Sequence, residues 1–432
     1  MKIKNLLLIL LLIISGNVFS QTADDEITFW INNGDYLQLK QRYQEEKGNI
    51  KNPTVKLMAE AFISTAFNKP DEAIKKLSTL ITNHQESLGL NGITTCVALI
   101  AENLRYQGKY LSAADMLINY VNQTDSFDGL DENTRTIFLS QCALVALGDL
   151  MKPEIERPAK NCTIPIIEHK DFLQHAMYVN ANLNGKDVPF LFDTGCEGYS
   201  TNMVTEKFAR ENNIKIINDS VVVYGITNGV VKLGKAERMR IGEIVYKNVA
   251  FIIAPGDNLL PVDTLQLDAV LGSVFIKAMA ECQIYPQKKE IVFPLRQSAL
   301  PSTGSNMMLK GGQPYIEAFS NEERLLLHFD TGSNIGLSSK YFVEHEEEIE
   351  ANGKLKKGGG IGGFGGVKYI NTYTLNNFPI QVGGNNVTLP QIDVFTNDGL
   401  NIDQYDGSLG ADFIRLHNKV TINFDKMFAV FE

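Results

Sequence analysis

Two short stretches constrain this chain more than any other. Residues 190–195 read Phe-Leu-Phe-Asp-Thr-Gly and residues 327–332 read Leu-His-Phe-Asp-Thr-Gly, so an apolar run ends in Asp193 and again in Asp330, each followed by Thr and Gly. A bare Asp-Thr-Gly arises by chance in roughly one chain in twenty of this length at average composition. Two with matched surroundings need a common origin. Asp193 is followed well downstream by Gly272 in Asp-Ala-Val-Leu-Gly-Ser-Val-Phe-Ile, and Asp330 by Gly410 in Gly-Ser-Leu-Gly-Ala-Asp-Phe-Ile, at spacings that differ by a single position. Each half then closes on a related pattern, 283–286 with 291–293 and 421–424 with 429–431. The near-constant offset, from Asp193 to Asp330 and from Gly272 to Gly410, marks an internal duplication of a whole β-rich unit, a period too long for a solenoid.

These residues resemble the aspartic proteases of pepsin and retropepsin type. The resemblance rests on Asp193-Thr194-Gly195 and Asp330-Thr331-Gly332, each with its later apolar-apolar-Gly, Val270-Leu271-Gly272 and Ser408-Leu409-Gly410, where Ser408 departs from the pattern. It covers about residues 165–432. It implies an all-β bilobal fold of two retropepsin-like barrels, a catalytic dyad of Asp193 and Asp330, and water attack on a peptide bond. It also assigns Thr194 and Thr331 to cross-lobe hydrogen bonds, and Gly195 and Gly332 to a close backbone approach that a side chain would block. No cofactor or metal is implied.

The rest of the chain gives a domain plan. Lys2 and Lys4 precede an unbroken apolar run at 6–14 and a small-residue cleavage signal at Val18-Phe19-Ser20, so 1–20 reads as a secretory signal peptide, too short to span a membrane. The expected location is periplasmic or extracellular, with no integral membrane segment. Residues 21–160 read as helices, with amphipathic pairs broken at Asn68-Lys69-Pro70-Asp71 and at Gln107-Gly108-Lys109, and a further helix over 134–150. The pairs look like tetratricopeptide-type hairpins of loose period. They could hold a protein partner on a concave face, serve as a spacer, or form a pro-segment over the cleft. From 164 the period switches to two, giving lobe 1 over 161–298 and lobe 2 over 299–432, with 294–306 as the linker. Strands are expected at 175–183 and 188–192 around Asn184-Gly185, at 220–224, 230–233, 236–241 and 249–254, and helices at 204–213 and 339–350. The fold class is therefore α+β multidomain.

Composition excludes some functions. Among 432 residues, 44% are hydrophobic and 21% charged, ordinary values for a globular protein, and a net charge of −10 without basic clusters argues against nucleic acid. Five cysteines lack Cys-x-x-Cys spacing, which removes the usual zinc and redox motifs. His345 lies in an acidic run without a second zinc-protease histidine and reads as a solvated helix face, and no Gly-x-Ser-x-Gly elbow occurs.

Finer readings concern the cleft. Ser333 follows Gly332 where Cys196 follows Gly195, so a hydroxyl donating to Asp330 would leave Asp330 ionised and the proton on Asp193; alternatively both are small side chains that fit. Strand alternation puts His328 on the same side as Asp330, as a polar subsite wall or as a satisfied histidine under the sheet. Flaps are expected at Tyr224-Gly225 and around Gly362-Gly363, which lie at equivalent distances from the two aspartates. A formal G-x-G-x-x-G at 360–365 follows a lysine-rich stretch and not an apolar strand, so a dinucleotide site is not expected. The function read from the sequence is an exported, monomeric aspartic endopeptidase acting on polypeptides. The alternative is a peptide-binding or assembly protein whose protease-like lobes are covered by the helical domain.

Overall fold

The computed structural model describes residues 22–125, 129–132, 134–136, 138–139, 154–168, 176–196, 202–223, 229–260, 266–363, 366–396 and 404–432. The expected signal peptide and most of the helix at 134–150 lie outside these residues.

The described residues open with the helices α1 (Ala23–Asn33), α2 (Tyr36–Glu46), α3 (Pro53–Ala66), α4 (Pro70–Asn83), α5 (Gln85–Tyr106) and α6 (Tyr110–Asp125). Local chemistry fixes their ends. Thr22 and Asp25 form a capping box on α1, Asp35 caps α2, Asn52 caps α3, and Pro53 and Pro70 occupy first turns where no backbone donor is needed. The three hairpin turns pass through left-handed residues, Gly34 (φ 78°), Asn68 (φ 53°) and Gly108 (φ 69°). The first hairpin escapes the sequence reading because its helices are only 11 residues each. The interval from Asn68 to Gly108 is longer than that from Gly34 to Asn68, and it contains Gly89, whose non-helical backbone kinks α5.

The two lobes repeat one topology. In lobe 1 the strands Tyr178–Leu183 and Lys186–Phe192 form a hairpin whose turn residues, Asn184 (φ 52°) and Gly185 (φ 87°), are both left-handed, the geometry that matches strand twist. Its second strand pairs in parallel with Ala269–Leu271, placing Leu191 opposite Val270. In lobe 2, Gln313–Ser320 and Glu323–Phe329 form the equivalent hairpin, which pairs in parallel with Gly407–Leu409 and places His328 opposite Ser408. Several expected elements shift. Val230–Leu233 and 236–241 are one strand, Gly229–Ile241, because nothing breaks the backbone at Gly234. The expected 204–213 helix is a strand, Asn202–Thr205, then a short helix, Glu206–Glu211, since the Thr205 hydroxyl caps Phe208 N–H and starts the helix late. The 339–350 helix splits at His345. That ring stacks on Tyr341 at 4.1 Å and pairs with Glu323 at 3.1 Å, so it is packed and not on a solvated face.

The closing hairpins of the two lobes meet in one sheet. Glu281–Tyr285 pairs on one side with Glu290–Phe293 and on the other with Val420–Asn423 of lobe 2, which in turn pairs with Phe428–Phe431. The lobes are thus joined by backbone ladder bonds as well as by their linker. Glu281, fully buried in this sheet, accepts from Ser298 N–H, Ser298 hydroxyl, Gln283 and Asn423, tying the linker to both lobes. Burial pushes its pKa up, but these donors outweigh it and hold the carboxylate below its ordinary range.

The helical domain packs into the same core. Leu37, Ala66 and Phe67 join the apolar cluster of the lobes, the Tyr36 N–H reaches Met308 Sδ at 3.2 Å, and Asn68 Nδ2 donates to Phe424 O at 3.1 Å. Asp35 accepts both terminal nitrogens of Arg324 at 2.5 and 3.1 Å, while Glu317 takes the Arg324 Nε at 2.6 Å. These contacts are with lobe 2. The chain next adds the strand Glu154–Glu156 to the Ile244–Ala254 strand of lobe 1, and Tyr106 lies under the Lys277 ammonium of lobe 1 at 5.7 Å. Helices and connecting strand therefore span both lobes.

Candidate active site

Each motif strand ends on a buried phenylalanine, Phe192 or Phe329, which anchors the turn that follows. Asp193 N–H donates to Leu271 O at 3.3 Å and Asp330 N–H to Leu409 O at 3.0 Å, so the parallel pairing fixes where each carboxyl emerges. Between the lobes, Thr194 and Thr331, both fully buried, exchange two hydrogen bonds and make two more to the opposite motif strand. Thr194 N–H donates to Thr331 Oγ1 (2.9 Å) and Thr331 N–H to Thr194 Oγ1 (3.0 Å); the hydroxyls donate onward to Phe329 O (2.8 Å) and Phe192 O (2.7 Å). Each threonine satisfies the backbone of the other lobe.

The glycines then bring the carboxyls together. A Cβ on Gly195 would stand 2.4 Å from Asp330 Cγ, and one on Gly332 would stand 2.5 Å from Asp193 Oδ2, so each glycine lies flat against the carboxyl of the opposite lobe. Asp193 Oδ1 accepts from Gly195 N–H (2.8 Å) and Cys196 N–H (2.9 Å); Asp330 Oδ1 accepts from Gly332 N–H (2.8 Å). Burial, then the charge of Asp330 and a hydrogen bond to it, raise the pKa of Asp193 well above the carboxylate range, and its two backbone donors do not offset this. The hydroxyl contact expected from the sequence is absent: the Ser333 hydroxyl donates to the main-chain carbonyl of Asp330 at 3.1 Å, not to its carboxylate.

Other expected site residues are distributed as follows. His328 is buried, its ring 5.3 Å from that of Tyr315 and 6.1 Å from that of Tyr405, and its Nε2 has no hydrogen-bond partner among the described residues. Burial lowers its pKa, and the nearby Asp330 charge only partly opposes this. Gly362 and Gly363 lie on a strand, Lys354–Gly363, paired with Gly366–Val382, so the glycine-rich run is half of a hairpin and not a phosphate loop. In lobe 1 the strands Lys215–Val223 and Gly229–Ile241 form the matching hairpin. Tyr224 and Gly225 lie outside the described residues.

Three residues escaped the sequence reading. Gln313 Nε2 donates to Gly195 O at 3.2 Å across the lobes. Lys277 Nζ of lobe 1 donates to Gly312 O of lobe 2 at 2.6 Å, and Arg415 of lobe 2 donates to Ala176 O of lobe 1 at 3.1 Å. Lys277 and Arg415 stand at the same spacing after the later motif glycine, Gly272 or Gly410, a regularity that was available in the sequence. Among the described residues no group of three or more His, Cys, Asp or Glu is placed to hold a metal ion.

N-terminal helices followed by two β-rich, barrel-like lobes with paired Asp-Thr-Gly turns define an aspartic-protease-like fold in an α+β multidomain chain. A family model described as aspartyl protease matches residues 179–275, the part of lobe 1 that carries Asp193 and Gly272. Comparison with curated proteins gives no match. Among solved structures, the chain is similar to a retropepsin-like aspartic protease from Rickettsia conorii, at 18% identity over 32% of this chain and 91% of that one, with a TM-score of 0.22. It is also similar to basic 7S globulin from soybean, at 11% identity over 64% of this chain and 95% of that one, with a TM-score of 0.39.

Proposed function

We propose that this protein is an exported aspartic endopeptidase in which Asp193 and Asp330 activate water for direct attack on a peptide carbonyl. The observation that carries the reading is the reciprocal Thr194–Thr331 exchange, which holds each carboxyl against the glycine of the opposite lobe. Asp330 acts as the base that takes a proton from the water, while the protonated Asp193 donates its proton to the substrate carbonyl oxygen as the diol forms. The diol collapses as Asp330 passes the proton taken from water to the leaving amine nitrogen and a diol hydroxyl returns its proton to Asp193. A split between the pKa values of paired aspartates is general to aspartic proteases and not particular to this chain. Substrate would lie extended across both lobes, its backbone pairing with the hairpins that carry Gly362-Gly363 and flank Tyr224-Gly225. The leader at 1–20 would send the protein to the periplasm or outside the cell, where it acts as a monomer, because the linker holds the two lobes at high effective concentration.

The helical domain fits a fixed brace better than a removable pro-segment or a cover. Leu37 and Phe67 belong to the core of the lobes, and their removal would expose it. The test compares residues 21–432 with the Asp193→Asn form on a denatured protein mixture from acid to neutral pH, reading new termini by mass spectrometry. Cleavage that disappears in the variant supports the dyad. Peptide binding without cleavage in either form would instead support the peptide-binding or assembly protein.

A further inference from the structure

The duplication makes the two walls beside the dyad directly comparable, residue by residue. In lobe 1, Tyr178 pairs with Leu191 and Leu191 with Val270. In lobe 2, Tyr315 pairs with His328 and His328 with Ser408. Paired residues on adjacent strands point to one face, and so do residues two apart on one strand, so these side chains share the face from which Asp193 or Asp330 emerges two residues later. The lobe 1 wall is an apolar cluster of Ala176, Tyr178, Leu191, Leu267 and Val270, and it reaches the half-exposed Cys196 beside the dyad. At the matching positions lobe 2 carries Gln313, Tyr315, His328, Tyr405 and Ser408. Only the tyrosine is kept.

The substitution is not a repacking of one core by another. His328 is more than nine-tenths buried and its Nε2 has no partner among the described residues, while Tyr405 and Ser408 beside it stay half-exposed. A buried, unpaired imidazole nitrogen is costly in an apolar setting, and the matching position shows that leucine fits this fold. The cost is removed if a ligand group completes the bond. Retaining a tyrosine-lined, half-open polar wall on one side of the dyad and an apolar wall on the other divides the cleft by chemistry.

We infer that the cleft is asymmetric across the scissile bond: the lobe 1 wall takes an aliphatic side chain, and the lobe 2 wall takes a neutral hydrogen-bonding side chain, an amide or hydroxyl, whose polar group pairs with His328 Nε2. An acidic side chain is disfavoured there because Asp330 lies on the same face. The inference rests on the proposed function, and its test separates the two. Two peptides with a reduced, non-cleavable central bond would be synthesised, one with Leu before and Gln after that bond, the other reversed. Their affinities for the intact chain would be measured by calorimetry, alongside cleavage of the ordinary peptides.

The expected result is that one order binds about tenfold more tightly than the other, a difference of one well-made hydrogen bond. The preference should vanish in His328→Leu and persist in His328→Gln, with circular dichroism showing that both variants fold. Equal affinity of the two orders, or an unchanged preference in a folded His328→Leu, overturns the inference while leaving the proposed function intact. Binding of neither peptide, with no cleavage of the ordinary ones, overturns both.

Discussion

Thr194→Val is the sharpest probe of how the lobes are held. Valine matches threonine in shape, so no cavity opens, and Thr194 is fully buried, so no water replaces the hydroxyl. The change leaves Phe329 O without its donor and Thr331 N–H without its acceptor, bonds of 2.8 and 3.0 Å in the intact protein. Each buried orphan costs about 1–3 kcal/mol, which gives about 4 kcal/mol for the pair. Against a typical total of about 5–15 kcal/mol this is a large fraction, near a thousandfold in the folding equilibrium. Thr194→Ser keeps both bonds and loses one methyl, for about 1 kcal/mol. Guanidinium unfolding followed by circular dichroism reports the fold as a whole, and fluorescence of Trp30, the single tryptophan, reports the helical domain. The predicted pattern is a lowered unfolding midpoint in Thr194→Val, a small shift in Thr194→Ser, and cleavage falling with the former. A Thr194→Val chain within about 0.5 kcal/mol of the wild type, the range of an inconsequential substitution, would refute the reasoning, since the orphaned groups would then have found other partners.

Two further outcomes follow from the same structure. Asp193 has its folded pKa raised above the unfolded value, so its contribution to stability is fully present below the unfolded pKa and is lost as pH rises through the folded one. Asp193→Asn should therefore be more stable than the wild type at neutral pH and lose that advantage in acid, measured by thermal unfolding across pH. Asp35→Ala removes both the bidentate partner of Arg324 and the cap of α2, at about 1 kcal/mol for the cap and about 2 kcal/mol for an ion pair in which Glu317 still holds Arg324. Burial works against the charge on Arg324, and the two carboxylates outweigh it, holding the guanidinium above its usual pKa. Trp30 fluorescence should then report the helical domain loosening before the lobes unfold, and Asp35→Asn, which keeps the cap, should recover part of the loss.

The sequence by itself determined what depends on near neighbours and on repetition. The constant offset between the two halves identified the duplicated unit and both aspartates, Asn184-Gly185 specified a hairpin, and the change from helical to alternating period separated the helices from the lobes. It failed where a boundary depended on one cap, as at Thr205, or where short helices gave too few periods, as in α1 and α2. Tertiary structure alone decided the rest. That the Ser333 hydroxyl turns to a backbone carbonyl, that Gly195 lies against Asp330, and that His328 is buried beside Tyr405 each depend on the backbone of another element. The Thr194–Thr331 bonds close a separation of 137 residues and Asp35–Arg324 one of 289. At such distances local patterning carries no information about the partner, and only the packing of the two lobes and the helices against one core selects it.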